Sequence, residues 1–97
     1  MLRNAYLKRI EGALESLDTE IAALQLKGER AEKNLRKMYV EEIEVLKRKR
    51  DAVTGKIRDI RGSGAASWGD LKSGTQSALD ELKTAVDKAI SKLKKSA

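Results

Sequence analysis

The sequence Trp68-Gly-Asp-Leu-Lys-Ser-Gly-Thr-Gln-Ser-Ala78 is followed in register by Leu79-Asp-Glu-Leu-Lys-Thr-Ala-Val-Asp-Lys-Ala89 and then by Ile90-Ser-Lys-Leu-Lys94. Each row opens with a large apolar residue and has Leu at its fourth place and Lys at its fifth. An 11-residue period corresponds to about 3.67 residues per turn, so the apolar stripe runs almost straight along a helix. The repeat predicts a helix with one apolar face from about residue 68 to residue 95.

The first 60 residues also place apolar side chains at helical spacing, and the chain contains no proline. Tyr6 to Leu17 and Leu35 to Leu46 are 11-residue units with apolar spacings of 4, 4 and 3, and a heptad stripe joins them. Such a stripe keeps one face turned toward a partner with little supercoiling. The pattern predicts one long helix over residues 3–61, about 85 Å in length at 1.5 Å per residue.

A small-residue break, Gly62-Ser-Gly-Ala-Ala-Ser67, separates the two predicted helices. Gly62 suits the left-handed conformation that often ends a helix. Two glycines this close together favour a chain reversal, because each costs roughly 1 kcal/mol inside a helix. The 11-residue phase nevertheless continues backward through Ile57 and Ile60, so an unbroken helix bent at the glycines is an alternative. The predicted fold is a single all-α domain over residues 1–97, a long helix and a shorter one forming an antiparallel hairpin.

The apolar residues of the predicted hairpin assign its packing face. Trp68, at the start of the second helix, is expected to close the hairpin end against Ile57 and Ile60. The full set of predicted hairpin packing residues is Leu35, Tyr39, Ile43, Leu46, Val53, Ile57, Ile60, Trp68, Leu71, Leu79, Leu82, Val86, Ile90 and Leu93.

The second helix is too short to cover the N-terminal half of the first one. A bare apolar stripe favours a partner, and an antiparallel pair of chains would cover both stripes by symmetry. We therefore expect a homo-oligomer, with an antiparallel dimer preferred, although docking on an unrelated protein or a larger assembly is an alternative. The expected oligomer interface consists of Tyr6, Ile10, Leu14, Leu17, Ile21, Leu24 and Ala31.

The composition argues against catalysis. The 97 residues include no Cys and no His, and aromatic residues make up 3%. Thiol nucleophiles, imidazole bases and the usual zinc ligands are therefore missing, and a two-helix rod offers no concave site. We predict no catalytic residue, cofactor or metal site. No apolar segment approaches the roughly 20 residues of a membrane span, and no signal peptide is recognisable, so cytoplasmic residence is the expectation.

The formal net charge is +6, and the only basic run is Lys47, Arg48, Lys49 and Arg50. Three interpretations stay open for this run: a solvated coiled-coil surface, a nucleic-acid site or a lipid headgroup site. The run points around more than one helix face and has no aromatic neighbour placed to stack on bases. The 11-residue period of the second helix is also typical of helices that lie flat on membranes, although packing on the first helix is the simpler use of its apolar face.

The segment Trp68-x-x-Leu-Lys-x-Gly-x-x-x-Ala-x-x-x-Leu-Lys-x-Ala-x-x-Lys-Ala-x-Ser-Lys-Leu93, placed after a charged helix and a small-residue break, resembles a family of small bacterial coiled-coil proteins of the cyanobacterial stress-response type. The chain departs from that pattern at Leu79, where a second aromatic residue is expected. The resemblance implies a structural or stress-linked protein without catalytic residues. The expected function is a self-associating coiled-coil scaffold or accessory subunit; the alternative is a binding module for anionic lipid or nucleic acid.

Overall fold

A computed structural model describes residues 2–64 and 67–96 of the chain. Its helices are α1 (Leu2–Arg30), α2 (Lys33–Arg61) and α3 (Trp68–Ser96), each of 29 residues. The prediction of an all-α protein is confirmed. Ala65 and Ala66, which belong to the predicted break, lie outside the described residues.

The prediction of one helix over residues 3–61 is wrong. The helix ends at Arg30, and α2 begins at Lys33 after two non-helical residues. Glu32 has φ −61° and ψ 155°, which is extended backbone. The molecule measures 51 × 18 × 17 Å, so three helices of roughly 44 Å each lie side by side in place of an 85 Å rod.

Burial of the apolar stripe of α1 explains this chain reversal. The large apolar side chains of α1 that are buried are Tyr6, Leu7, Ile10, Leu17, Ile21 and Leu24. Each contributes about 1.5–3 kcal/mol when buried, so folding α1 back contributes on the order of 10 kcal/mol. The helical hydrogen bonds lost at the turn are worth only about 1 kcal/mol each. Packing therefore outweighs the local preference for a continuous helix.

Helices that are consecutive along the chain run in opposite directions. On the α1–α2 side, Asp18 pairs with Arg50 and Glu11 pairs with Arg61, so the contacts descend along one helix as they rise along the other. On the α2–α3 side, the Lys92 ammonium lies 2.6 Å from the Glu42 carboxylate, whereas Gly74 lies near the Lys56 ammonium. α1 and α3 are consequently parallel, and the core runs along the middle of the bundle.

The α2 C-terminus differs from the prediction at Gly62. This residue has φ −87° and ψ −3°, which is right-handed helical backbone, and its N–H donates to the carbonyl oxygen of Arg58 at 3.1 Å. Gly62 thus continues the helical geometry for one more residue. The Ser63 hydroxyl donates to the Ile60 carbonyl oxygen at 2.8 Å and so satisfies another terminal acceptor.

Candidate functional site

The apolar stripe of α1 lies inside the chain. Of the residues expected at an oligomer interface, Tyr6, Ile10, Leu17, Ile21 and Leu24 are buried, and Leu14 and Ala31 are partly buried against the same core. The expectation that the N-terminal half leaves its apolar stripe bare is therefore wrong. The turn at Ala31 and Glu32 returns α1 to its own α2 and α3, which the assumption of an unbroken helix did not allow.

The predicted packing residues of α2 and α3 form the rest of this core. The buried members are Tyr39, Ile43, Leu46, Val53, Ile57, Ile60, Leu79, Leu82, Val86 and Leu93, and the partly buried members are Leu35, Trp68, Leu71 and Ile90. We call the continuous apolar surface that these residues form with the α1 stripe the seam.

Leu7, Thr75 and Ala89 are buried residues that the sequence analysis did not assign to the core. Thr75 is fully buried, and its hydroxyl donates to the Leu71 carbonyl oxygen at 2.7 Å, which satisfies the polar group. Thr75 occupies the same place in the 11-residue repeat as the buried Val86. The position of Thr75 in the repeat therefore indicated burial, but its polar hydroxyl is not typical of a core residue.

An aromatic cluster closes the bundle end where α1 and α3 begin. The rings of Tyr6 and Trp68 meet edge to face with centroids 5.3 Å apart, and the Lys72 ammonium lies 5.4 Å from the Tyr6 centroid. Trp68 was expected against Ile57 and Ile60, and its contact with Tyr6 was missed because α1 was not expected at this end.

The Tyr6 hydroxyl is hydrogen-bonded within this cluster. It lies 3.2 Å from the Lys72 carbonyl oxygen and 3.3 Å from the side-chain oxygen of Gln76, and it can donate to either. Burial raises the pKa of Tyr6, a positive Arg9 nearby opposes that rise, and Asp80 adds to it. The cluster ties α1 to α3 and has the character of a structural contact.

The α1–α2 turn is held by close packing and one side-chain bond. A Cβ atom added at Gly28 would lie 2.8 Å from the Cβ atom of Tyr39, so the two helices approach as closely as a glycine allows. The Arg36 guanidinium donates to the Ala31 carbonyl oxygen at 3.2 Å and caps the end of α1. Glu32, at the N-cap of α2, makes no side-chain capping bond.

The basic run at residues 47–50 is divided among different surroundings. Arg50 donates to the Asp18 carboxylate at 2.7 Å and to Asp51 at 3.3 Å, and the hydrogen bond to Asp18 raises the pKa of Arg50. Lys49 borders a groove between α2 and α3 that also contains Asp80 and Glu81.

Lys47 borders a different groove, between α1 and α2, together with Glu29 and Glu44. The structure therefore does not bring Lys47, Arg48, Lys49 and Arg50 together as one patch, and each groove also contains carboxylates.

The positive charge concentrates at the bundle end where α1 and α3 finish and α2 begins. Residues 27–37 and 92–95 contain eight basic and two acidic residues, whereas the remainder of the chain contains thirteen of each. The ends of α1 and α3 meet here, because Lys27 and Lys94 line the same groove. These two segments thus carry a formal charge of +6, offset at the same level of the bundle by Glu42, which pairs with Lys92. We call this end the basic end.

One lysine of the basic end has a carboxylate partner on α2. The Lys92 ammonium donates to the Glu42 carboxylate at 2.6 Å, and this hydrogen bond raises the pKa of Lys92. Tyr6, Arg50 and Lys92, whose pKa values are raised, lie in three separate places. Burial accounts for the raised pKa of Tyr6, and an ion pair accounts for that of Arg50 and for that of Lys92.

Comparison with protein-family models, with curated proteins and with solved structures found no match to this chain. Among the described residues, no helix combines the length and the apolar character needed to cross a membrane. The seam, the α1–α2 turn and the basic end are therefore the features of the molecule that bear on its function.

Proposed function

We propose that the protein is a non-enzymatic helical scaffold that self-associates as an antiparallel dimer, in a structural role of the stress-linked kind that the family resemblance implies. In this dimer the α1–α2 turn straightens, and each chain exchanges its α1 with the other. The observation that carries the proposal is the apolar stripe, which passes in phase through the turn.

Such an exchange requires no apolar contacts other than those already made in the closed bundle. Leu24, Gly28, Ala31, Leu35 and Met38 follow one heptad spacing across the turn, so they share a face when the helix is continuous. The α1 residues then meet the same α2 and α3 side chains on the other chain that they meet on their own chain in the closed bundle. Exchange of an identical element is a low-cost route to a dimer for this reason.

The turn itself has little intrinsic preference for the closed form. Its sequence, Arg30-Ala-Glu-Lys33, consists of residues with good helix propensity. Straightening it also places Glu29 before Lys33, and Glu32 before Arg36, at the i,i+4 spacing that stabilises helices by a few tenths of a kcal/mol per pair. A tight reversal made from helix-forming residues favours exchange at high protein concentration.

Small residues lie at the centre of the exchanged dimer, where the two long helices would come close together. Gly28 and Ala31 are the smallest residues of the stripe and lie next to the turn, where the two long helices would cross. In the closed bundle Gly28 already receives the Tyr39 side chain within van der Waals distance. Small residues at this point allow two helical backbones to pass each other.

Chemical cross-linking distinguishes the two forms, because the chain contains no native Cys. In Asp18→Cys/Arg50→Cys, the two thiols replace a contact of 2.7 Å between α1 and α2. A short bismaleimide should join them within one chain at low micromolar concentration and between two chains at high concentration. Denaturing gels read the difference directly, and the two single variants set the background.

Two substitutions at Glu32, to Pro and to Ala, form a matched test of the continuous helix. Glu32→Pro suits the extended backbone of the closed turn, with its φ of −61°, but costs about 3 kcal/mol in a continuous helix. It should weaken the dimer by at least about 100-fold, whereas Glu32→Ala should leave the dimer intact. Sedimentation equilibrium measures both constants.

Two outcomes would contradict the proposal. A wild-type chain that stays monomeric up to millimolar concentration does not self-associate. A dimer of equal strength in Glu32→Pro associates without a continuous helix.

A further inference from the structure

We propose that the basic end binds the surface of an anionic lipid membrane, with the long axis of the bundle standing away from that surface. This inference concerns the closed bundle, because straightening the α1–α2 turn would place the basic ends of both chains at the centre of the exchanged dimer. The basic end holds eight cations in residues 27–37 and 92–95, against two acids in those segments and Glu42, the α2 partner of Lys92. The remaining residues carry nearly equal numbers of cations and acids. Electrostatic attraction to a negative surface therefore orients the molecule end-on.

The cations at the start of α2 conflict with helix stability. The first turn of α2 contains no acidic residue, although the N-terminal end of a helix carries partial positive charge and favours acids. Arg36 has a structural use there, since it caps the Ala31 carbonyl oxygen. Lys33 and Lys37 are exposed residues near the same positive helix end. A local cost of this kind is expected where residues serve binding in place of stability.

A flat anionic surface fits the shape of the basic end. Three helix ends form a face of about 18 × 17 Å, which a planar surface covers at once. Leu26 and Val40 are 48% and 53% exposed and lie within about three turns of this face, so apolar side chains accompany the cations. Cations next to exposed apolar residues are typical of surfaces that bind anionic lipid.

A nucleic acid fits the same end less well. Proteins that hold single strands stack the bases on exposed rings, and here Tyr39 is buried with 8% exposure. Tyr6 and Trp68 form their cluster at the opposite end of the bundle. The choice of lipid rests on this placement of the aromatic residues together with the exposed Leu26 and Val40.

The experiment uses the full-length chain and vesicles of phosphatidylglycerol and phosphatidylcholine in physiological salt, with pure phosphatidylcholine as the neutral control. Sedimentation should recover the protein only with the anionic vesicles. Lys33→Gln/Lys37→Gln/Lys94→Gln should weaken that binding by about 100-fold, since each cation near an anionic membrane lowers the dissociation constant about fivefold. Circular dichroism verifies that the variant remains folded.

The basic run supplies a control of equal charge. Lys47→Gln/Arg48→Gln/Lys49→Gln removes the same number of cations, but these residues begin about 15 Å along α2 from Lys37, beyond the screening length of about 8 Å. Its binding should change less than about threefold. Equal losses in the two triple variants would overturn the proposal, because net charge alone would then explain the binding.

The single Trp reports the orientation. Trp68 begins α3, about 39 Å along that helix from Lys94, so brominated lipid should not quench its fluorescence when the bundle stands on its basic end. Strong quenching would show that α3 lies flat on the membrane and would overturn the end-on arrangement. Binding to duplex DNA that depends on Lys33, Lys37 and Lys94, without binding to vesicles, would overturn the choice of lipid.

Discussion

The two chain reversals of this bundle differ in origin. Between α2 and α3, residues 62–67 contain two glycines and two serines, and local composition marks the break. Between α1 and α2, Ala31 and Glu32 interrupt the helix inside a stretch of helix-forming residues. The first reversal follows from its own residues, whereas the second depends on what α1 buries after it turns.

This difference identifies which reversal can change. A turn that exists because of packing persists only while the packed surfaces are supplied by the same chain. A second copy supplies the same surfaces, so the α1–α2 turn has a competitor and residues 62–67 do not. The proposed exchange of α1 between chains rests on this difference.

The largest expected effect comes from disrupting the apolar stripe of α1. Leu17 and Leu24 are 8% and 5% exposed, and replacing each with Asp removes its apolar burial and places a carboxylate in the core. Each change costs about 3 kcal/mol or more, so Leu17→Asp/Leu24→Asp approaches the whole stability of a small domain. We expect α1 to detach and the radius of gyration, 15.5 Å for the Cα atoms of the closed bundle, to rise in X-ray scattering.

Ser16→Asp/Gln25→Asp is the control, because it adds the same charge to exposed positions of the same helix. This variant should keep the wild-type radius and melting temperature within error. If the Leu17→Asp/Leu24→Asp variant also kept both, packing of α1 would not be the cause of the turn.

A smaller effect, opposite in sign at the two reversals, is expected from adding one methyl group. Gly28→Ala places a Cβ atom 2.8 Å from the Cβ of Tyr39 and should destabilise the bundle by about 1–3 kcal/mol. Gly62→Ala meets its nearest atom, the Arg58 carbonyl oxygen, at 3.7 Å in right-handed backbone, and should stabilise by about 0.4–1 kcal/mol.

Chemical denaturation gives both free energies of unfolding. Gly12→Ala is a further reference, because nothing lies within 4 Å of the added atom and only the gain in helix propensity remains. Two changes of the same sign at Gly28 and Gly62 would mean that the close approach at the first reversal is not a constraint.

The sequence predicted the helical class and most of the buried positions, because both follow from periodicity. It missed the turn at Ala31 and Glu32, since no local residue there prefers a turn and the stripe continues through it in phase. It also indicated Lys47–Arg50 as the candidate site for an anionic partner, because cations are adjacent along the chain there. The basic end escaped notice because it assembles from two segments, residues 27–37 and 92–95, that only the fold brings together.

An effect smaller than that of Gly28→Ala is expected at Tyr6, which ties α1 to the start of α3 beside the second reversal. Tyr6→Phe keeps the ring contact with Trp68 but removes the hydroxyl that faces the Lys72 carbonyl oxygen and Gln76. The loss should be about 0.5–1.5 kcal/mol near neutral pH. A melting temperature equal to that of the wild type would show that these hydrogen bonds add nothing to stability.

The same substitution tests a pH dependence whose sign is fixed. Burial raises the pKa of Tyr6 above its ordinary value of 10.0, so the folded state holds the phenol proton more tightly than the unfolded state. The stabilisation is complete below about pH 10 and is lost as the pH rises through the higher folded pKa. The two proteins differ only at Tyr6, so a comparison between them isolates the Tyr6 contribution. The stability difference between wild type and Tyr6→Phe should therefore shrink from pH 9 to pH 11, and a difference that stayed constant in urea titrations at these two pH values would contradict a buried phenol.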